Sequence, residues 1–130
     1  HKVIVFNAKH NFQLTAKNIE QIQVPLVVST EHQSAEARQY LDLHAIMLVL
    51  AERQINRVWT ETGAALSGAL LKSNLVNELI IYQAPILLGS DARGAVNIGQ
   101  LTSIEQAVKT EFKEVTQVGK DLKLRLSIKS

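Results

Sequence analysis

Arg57-Val58-Trp59-Thr60-Glu61-Thr62-Gly63-Ala64-Ala65-Leu66-Ser67-Gly68-Ala69-Leu70-Leu71-Lys72-Ser73-Asn74, continued by Leu75 to Pro85, is the stretch on which the fold turns. Arg57 to Glu61 is a short strand-like run, whereas Gly63 to Ser73 is crowded with Ala, Gly and Ser at helical composition. Small residues let a helix backbone approach its neighbours closely. Asn74 followed by Leu75 and Val76 predicts a left-handed helix end with its apolar follow-on contact. Leu79 to Pro85 resumes a strand pattern. Strand, helix and strand within about 30 residues predict a right-handed βαβ unit with parallel strands.

Working outward, Asp42 is a good N-cap for the segment after it, since its carboxylate can accept from free first-turn amides. Leu43, Ile46, Met47 and Leu50 recur at helical spacing and Leu48 and Val49 widen the stripe, which predicts a mostly buried helix. Val24 to Thr30 reads as a short strand and Asn7 to Gln23 as an irregular connection, while Glu31 to Tyr40 has no decided state. Val3 to Phe6 opens the chain directly in a strand pattern, so the expectation is a piece of a longer protein. Downstream, Leu87 to Leu101 carries three of the six glycines and predicts a long loop. Thr102 to Glu105 has capping-box spacing. Leu122, Leu124, Leu126 and Ile128 alternate with Lys123, Arg125, Ser127 and Lys129, a strand with one wet face. With Phe112 to Val118 before it and Gly119-Lys120-Asp121 between, this predicts a β-hairpin.

The 130 residues give room for one domain, and 46% hydrophobic with 20% charged residues is a globular balance. No Cys is present, which excludes a disulfide framework, a thiolate zinc site and a catalytic cysteine. The longest apolar run, Ala45 to Ala51, is far short of the roughly 20 residues of a membrane-spanning helix, and nothing resembles a signal peptide. The expectation is a cytoplasmic protein without membrane association. Fourteen basic against twelve acidic residues leave a net charge of +2, scattered in small groups rather than in a phosphate-binding stripe. Few aromatics are available for base stacking, so no nucleic-acid partner is expected. His1, His10, His32 and His44 are too dispersed for a metal site.

The chemistry concentrates where the first predicted strand meets its helix. A helix N-terminus offers unpaired amides and a positive dipole end, and Gly63, Ala64 and Ala65 remove the side chains that would hold a phosphate away. The spacing is not a Rossmann G-x-G-x-x-G, because Gly63 and Gly68 are five apart. Close helix–sheet packing is the competing reading of the same small residues. Glu61, last in its predicted strand, is the second candidate, since ligands of open α/β sheets bind beyond the carboxyl ends of parallel strands. Gly89-Ser90-Asp91-Ala92-Arg93-Gly94 either helps bind a ligand or simply turns the chain out of the sheet. Trp59 and Tyr82, inside predicted strands, are expected in the core.

Several runs together resemble one family: Leu-Ala-Glu-Arg-Gln-Ile-Asn at 50–56, Trp-Thr-Glu-Thr-Gly at 59–63, Leu-Ser-Gly-Ala-Leu-Leu at 66–71, Leu-Val-Asn-Glu-Leu at 75–79 and Ala-Pro-Ile-Leu-Leu-Gly-Ser-Asp-Ala-Arg-Gly at 84–94. They are similar to the C-terminal reductase domain of the bifunctional riboflavin-biosynthesis deaminase/reductase, collinearly through Phe112-Lys113-Glu114-Val115 and Val118-Gly119-Lys120-Asp121. Residues 1–40 match in layout only. The resemblance implies an α/β fold of the dihydrofolate-reductase type, a mainly parallel twisted sheet flanked by helices with an antiparallel C-terminal hairpin, the family's first strands lying upstream of His1. It implies NADPH-dependent reduction of 5-amino-6-(5-phosphoribosylamino)uracil to the ribitylamino product, Glu61 facing the substrate and Gly63, Ala64, Ala65, Leu66, Ser67, Gly68 and Ala69 holding the cofactor. A homo-oligomer and a chain inactive by itself are further expectations, and a non-catalytic self-association module of the same fold is the alternative. Asn7-Ala8 stands where relatives commonly carry Asp-Ser, and Ala8 lacks the hydroxyl that helps bind the cofactor there. Gln54 ends a helix where many relatives have Gly.

Overall fold

The computed structural model describes residues 3–8, 17–29 and 38–129, in two units, His1–Trp59 and Thr60–Ser130. In the first unit, β1 (Val3–Asn7) pairs in parallel with β2 (Ile19–Gln23), Val3 opposite Ile19 and Asn7 opposite Gln23. β2 lies inside the stretch expected to be irregular. Its sequence, IEQIQ, has no clean period of two, and it is pairing with the β-branched run of β1 that extends it. β3 (Leu26–Ser29) pairs antiparallel with β4 (Arg38–Leu41); Thr30 and Glu31 to Ala37 of the expected segments lie outside the described residues.

Asp42 caps α1 (Leu43–Glu52) as its side chain predicts, its carboxylate accepting from the amides of His44 at 2.9 Å and Ala45 at 3.1 Å. The helix ends in a Schellman pattern: Gln54 sits at φ 59°, its amide donates to Ala51 O, and the Ile55 amide reaches back to Leu50 O. Arg53 ties this end to β2 through Glu20, Nη2 to Oε1 at 2.7 Å. The expectation of a mostly buried helix fails, because no residue of α1 is buried and Leu48 is 65% exposed. Its apolar stripe is wider than the cover that the described residues provide.

The second unit is built on α2 (Ala64–Lys72) and a three-stranded antiparallel sheet in the order β5 (Glu78–Gln83), β7 (Asp121–Ile128), β6 (Thr110–Val118). Ser73 and Asn74 close α2 as predicted: Asn74 adopts φ 54°, its amide donates to Leu71 O, and the Leu75 amide reaches Leu70 O. The hairpin also forms as predicted, with Gly119 at φ 62° as first residue of a two-residue turn and Val118 opposite Asp121. A register shift between Phe112 and Glu114 bulges β6. On one sheet face Leu79, Ile81, Phe112, Val115, Leu122, Leu124, Leu126 and Ile128 stand together. The other face carries Arg125 between Glu78 and Glu114, both at 3.3 Å, with Lys123 on Glu114 at 3.2 Å.

The predicted βαβ unit is not formed. Residues 55–63 are irregular, since Arg57 to Glu61 finds no strand partner among the described residues, and β5 runs antiparallel to β7. One parallel pair, β1 with β2, is present. Trp59 therefore lies outside any strand and is 67% exposed, and Tyr82, expected in the core, shares the charged face with Lys123 and is 60% exposed. The capping box at Thr102 is replaced by a longer one. Gln106 Oε1 accepts from the Thr102 amide at 2.9 Å and hydroxyl at 3.1 Å across a single turn, Ile104–Gln106, while Glu105 takes a bond from Ser103 that holds its carboxyl below its ordinary value.

Candidate functional site

The start of α2 is an uncapped helix N-terminus. Gly63 is the N-cap, in extended backbone at φ −73° and ψ 168°, and no side chain bonds to the first turn. The first helical bond runs from the Ser67 amide to Gly63 O at 3.1 Å, so the amides of Ala64, Ala65 and Leu66 have no acceptor within the helix. A Cβ on Gly63 would meet nothing within 4 Å, and Gly63, Ala65 and Leu66 are exposed. Thr62, which could have turned its hydroxyl onto these amides, is engaged elsewhere. Its Oγ1 pairs with Ser67 Oγ at 2.7 Å, and the same Ser67 hydroxyl lies 3.5 Å from Thr62 O. This strap fixes the entering chain and leaves the donors open to an acceptor from outside the helix.

The sequence-predicted residues separate on the helix. Gly63, Ala64, Ala65 and Leu66 are brought together around the open amides, and Glu61 is exposed two residues before Gly63, in irregular chain rather than at a strand end. Ser67 belongs to the strap. Gly68 is buried against the loop that crosses the helix: a Cβ there would lie 1.7 Å from Asn97 O and 2.4 Å from the Asn97 carbonyl carbon. Its small size answers a backbone rather than a phosphate, the packing reading of the small-residue helix, and Ala69 is half-buried one residue on. Asn97 was not singled out by its sequence. The signal was present in Val96-Asn97-Ile98-Gly99, an Asx turn in which Asn97 Oδ1 accepts from the Gly99 amide at 3.1 Å.

Gly89 to Gly94 is an exposed loop closed by the Ala92 amide on Gly89 O at 3.0 Å. Near the other end of α2, Leu71, Lys72, Ile98, Val108, Ile128 and Lys129 line part of a pocket of about 520 Å3 that includes none of the predicted site residues. In the first unit Asn7 ends β1, and the Ala8 carbonyl accepts from Gln23 Nε2 at 3.2 Å. His44 is exposed on α1; His1, His10 and His32 lie outside the described residues. Among the described residues no three His, Cys, Asp or Glu side chains gather as metal ligands, and no helix is long and apolar enough to cross a membrane.

What the open amides can do chemically is bind an anion: three N–H groups converge at the positive end of a helix dipole, with no side chain in the way. Comparison with known proteins supplies the context. The RibD protein of Escherichia coli is 47% identical over 91 residues, 70% of this chain, and the chain spans 25% of that protein's length. A Buchnera aphidicola protein named 5-amino-6-(5-phosphoribosylamino)uracil reductase is 33% identical over 128 residues, covering 98% of this chain and 57% of its own. Among solved structures, a RibD from Acinetobacter baumannii superposes with a TM-score of 0.71 at 26% identity, over 98% of this chain and 37% of that one. The fold class is accordingly α/β of the dihydrofolate-reductase type. The family model described as RibD C-terminal domain matches residues 2–124, and the chain belongs to that family.

Proposed function

We propose that this chain is the reductase part of a riboflavin-biosynthesis deaminase/reductase, acting in the NADPH-dependent reduction of 5-amino-6-(5-phosphoribosylamino)uracil to its ribitylamino product. The observation that carries the reading is the uncapped start of α2 directly after Glu61, in a chain of the RibD C-terminal domain family. The name of the Buchnera relative supports the substrate class. The residues fit a nucleotide cofactor: Gly63, Ala64, Ala65 and Leu66 offer a phosphate uncapped amides and open space. When bound, the nicotinamide supplies hydride for reduction of the opened ribosylamine. The chain's part is binding and orientation. The α2 amides hold phosphate charge without a counter-ion, and the Glu61 carboxylate accepts a hydrogen bond from the substrate and so orients it. A cytoplasmic, homo-oligomeric protein with this small-molecule substrate completes the reading.

The test uses two substitutions in the full-length protein. Gly63→Val, which places a branched side chain over the amides, is expected to weaken NADPH binding by about tenfold or more with the fold intact. Glu61→Gln preserves size and removes one charge-assisted contact, worth about 1.5 to 3 kcal/mol, so kcat/KM is expected to fall roughly tenfold to a hundredfold at nearly unchanged NADPH affinity. Unchanged affinity in the first variant, or unchanged kcat/KM in the second, overturns the role of that residue. A second reading, a non-catalytic module that self-associates, is favoured by the exposed apolar side chains Phe112, Val115 and Leu122 on one sheet face. It predicts self-association with no nucleotide binding.

A further inference from the structure

The loop that crosses α2 grips it at the turn carrying the open amides. The Asn97 amide donates to Ala64 O at 2.9 Å. That carbonyl also belongs to the helix's own ladder. It shares a planar peptide group with the Ala65 amide, so a bond that fixes the orientation of the carbonyl fixes the orientation of that N–H as well. A second donor on the carbonyl also polarises the peptide and makes the Ala65 amide a stronger donor. Asn97 is itself held twice. Its Oδ1 accepts from the Gly99 amide at 3.1 Å, and its carbonyl rests on Gly68, where any side chain would force it away, the position of a Cβ being 1.7 Å from Asn97 O.

We propose that Asn97 is a positioning residue for the cofactor: through its Asx turn and the side-chain-free surface of Gly68 it latches the loop onto α2 and aims the Ala65 amide at the phosphate bound there. The proposal rests on the reading of α2 as the nucleotide site. It gives Gly68 a purpose that direct phosphate contact does not, because Gly68 is buried beneath the loop while the open amides lie one turn earlier. It also explains why an exposed loop residue carries two such bonds, one joining loop to helix and one within the loop.

Asn97→Ala keeps the backbone donor and removes the Oδ1 acceptor that sets the turn. Asn97→Ser offers a neutral hydroxyl acceptor to the same amide, as serine does in related turns. In the full-length protein Asn97→Ala is expected to raise the Kd for NADPH about tenfold with kcat at saturating cofactor within about twofold, Asn97→Ser to recover most of that affinity, and Gly68→Ala to act in the same direction as Asn97→Ala. Hydrogen exchange without nucleotide supplies a readout independent of the cofactor: amides of residues 64–68 are expected to exchange faster in Asn97→Ala than in the unaltered protein. A lower Tm with unchanged Kd overturns the positioning role and leaves packing only. Equal losses for Asn97→Ala and Asn97→Ser overturn the role of the Asx turn. Unchanged exchange overturns the latch itself, whereas an unaltered protein that binds no NADPH, with faster exchange in Asn97→Ala, refutes the nucleotide site and not the latch.

Discussion

Two helix ends show how a single residue trades local strain against the role of its position. Gln54 and Asn74 hold equivalent places, one residue past the C-cap with positive φ, 59° and 54°, and both helices satisfy their last carbonyls through the same pair of backward bonds. Asn tolerates this conformation because its short amide can bond locally, while a longer side chain carries the Cβ clash without that compensation. Gln54→Gly is therefore expected to stabilise the protein by about 0.5 to 1 kcal/mol, the relief of the Cβ clash exceeding the greater freedom of glycine in the unfolded chain. Asn74→Gly is expected to gain less. Urea unfolding of the two variants in the full-length protein checks the order, and a larger gain at Asn74 than at Gln54 contradicts it.

At the scale of elements, what was legible in the sequence is what local chemistry decides. The Asp42 cap, the Asn74 helix end and the β6–β7 hairpin each depend on residues within a few positions of one another, and all three formed. What was not legible depends on partners far along the chain. Ile19 to Gln23 became a strand by pairing with Val3 to Asn7, Arg57 to Glu61 pairs with no strand among the described residues, and the apolar stripe of α1 implied a cover that sequence alone cannot supply. The site divides in the same way. Gly63 to Leu66 were legible because an uncapped glycine-led helix start is a local feature, while the part of Gly68 was not, since the Asn97 backbone that requires it is 29 residues distant. The hairpin also carries a pH dependence. Lys123, with Thr116 and then Arg125, holds the Glu114 carboxyl below its ordinary value, so this carboxylate is stabilised in the folded hairpin. A group depressed in this way contributes its stability above the unfolded carboxylate range near pH 4.3 and loses it as pH falls through the lower, folded value. Unfolding measured from pH 7 down to pH 3 is expected to show a smaller acid loss in Glu114→Gln than in the unaltered protein. An identical acid limb in the variant would remove Glu114 from the account.

At the scale of the whole molecule, burial decides how the 130-residue chain behaves by itself. Among the described residues, the buried hydrophobic ones are Val24 in the first unit and Leu70, Leu71 and Leu126 in the second. Against them stand side chains of the kind that normally fill a core, among them Leu48 at 65%, Phe112 at 64% and Ile104 at 80% exposure. Burying a Leu, Ile or Phe side chain stabilises a fold by about 1.5 to 3 kcal/mol, so each one left open withholds that contribution while the ordering of its backbone still costs about 1 to 2 kcal/mol per residue. Within the second unit, Phe112, Val115 and Leu122 leave one sheet face apolar and exposed, a kind of surface ordinarily covered by further protein. The purified chain is therefore expected to unfold over a broad thermal range, to bind a hydrophobic dye and to associate with itself at micromolar concentration. It is also expected to lack measurable reductase turnover, because displacement of reacting groups by about 1 Å already costs about a hundredfold and a fold with this much apolar surface left open is not expected to keep that tolerance. Calorimetry, sedimentation and an NADPH oxidation assay on the same preparation check these together. A sharp two-state transition in a monomer would show that the two small cores suffice, and normal turnover in that preparation would show that the site needs no more cover than this chain supplies.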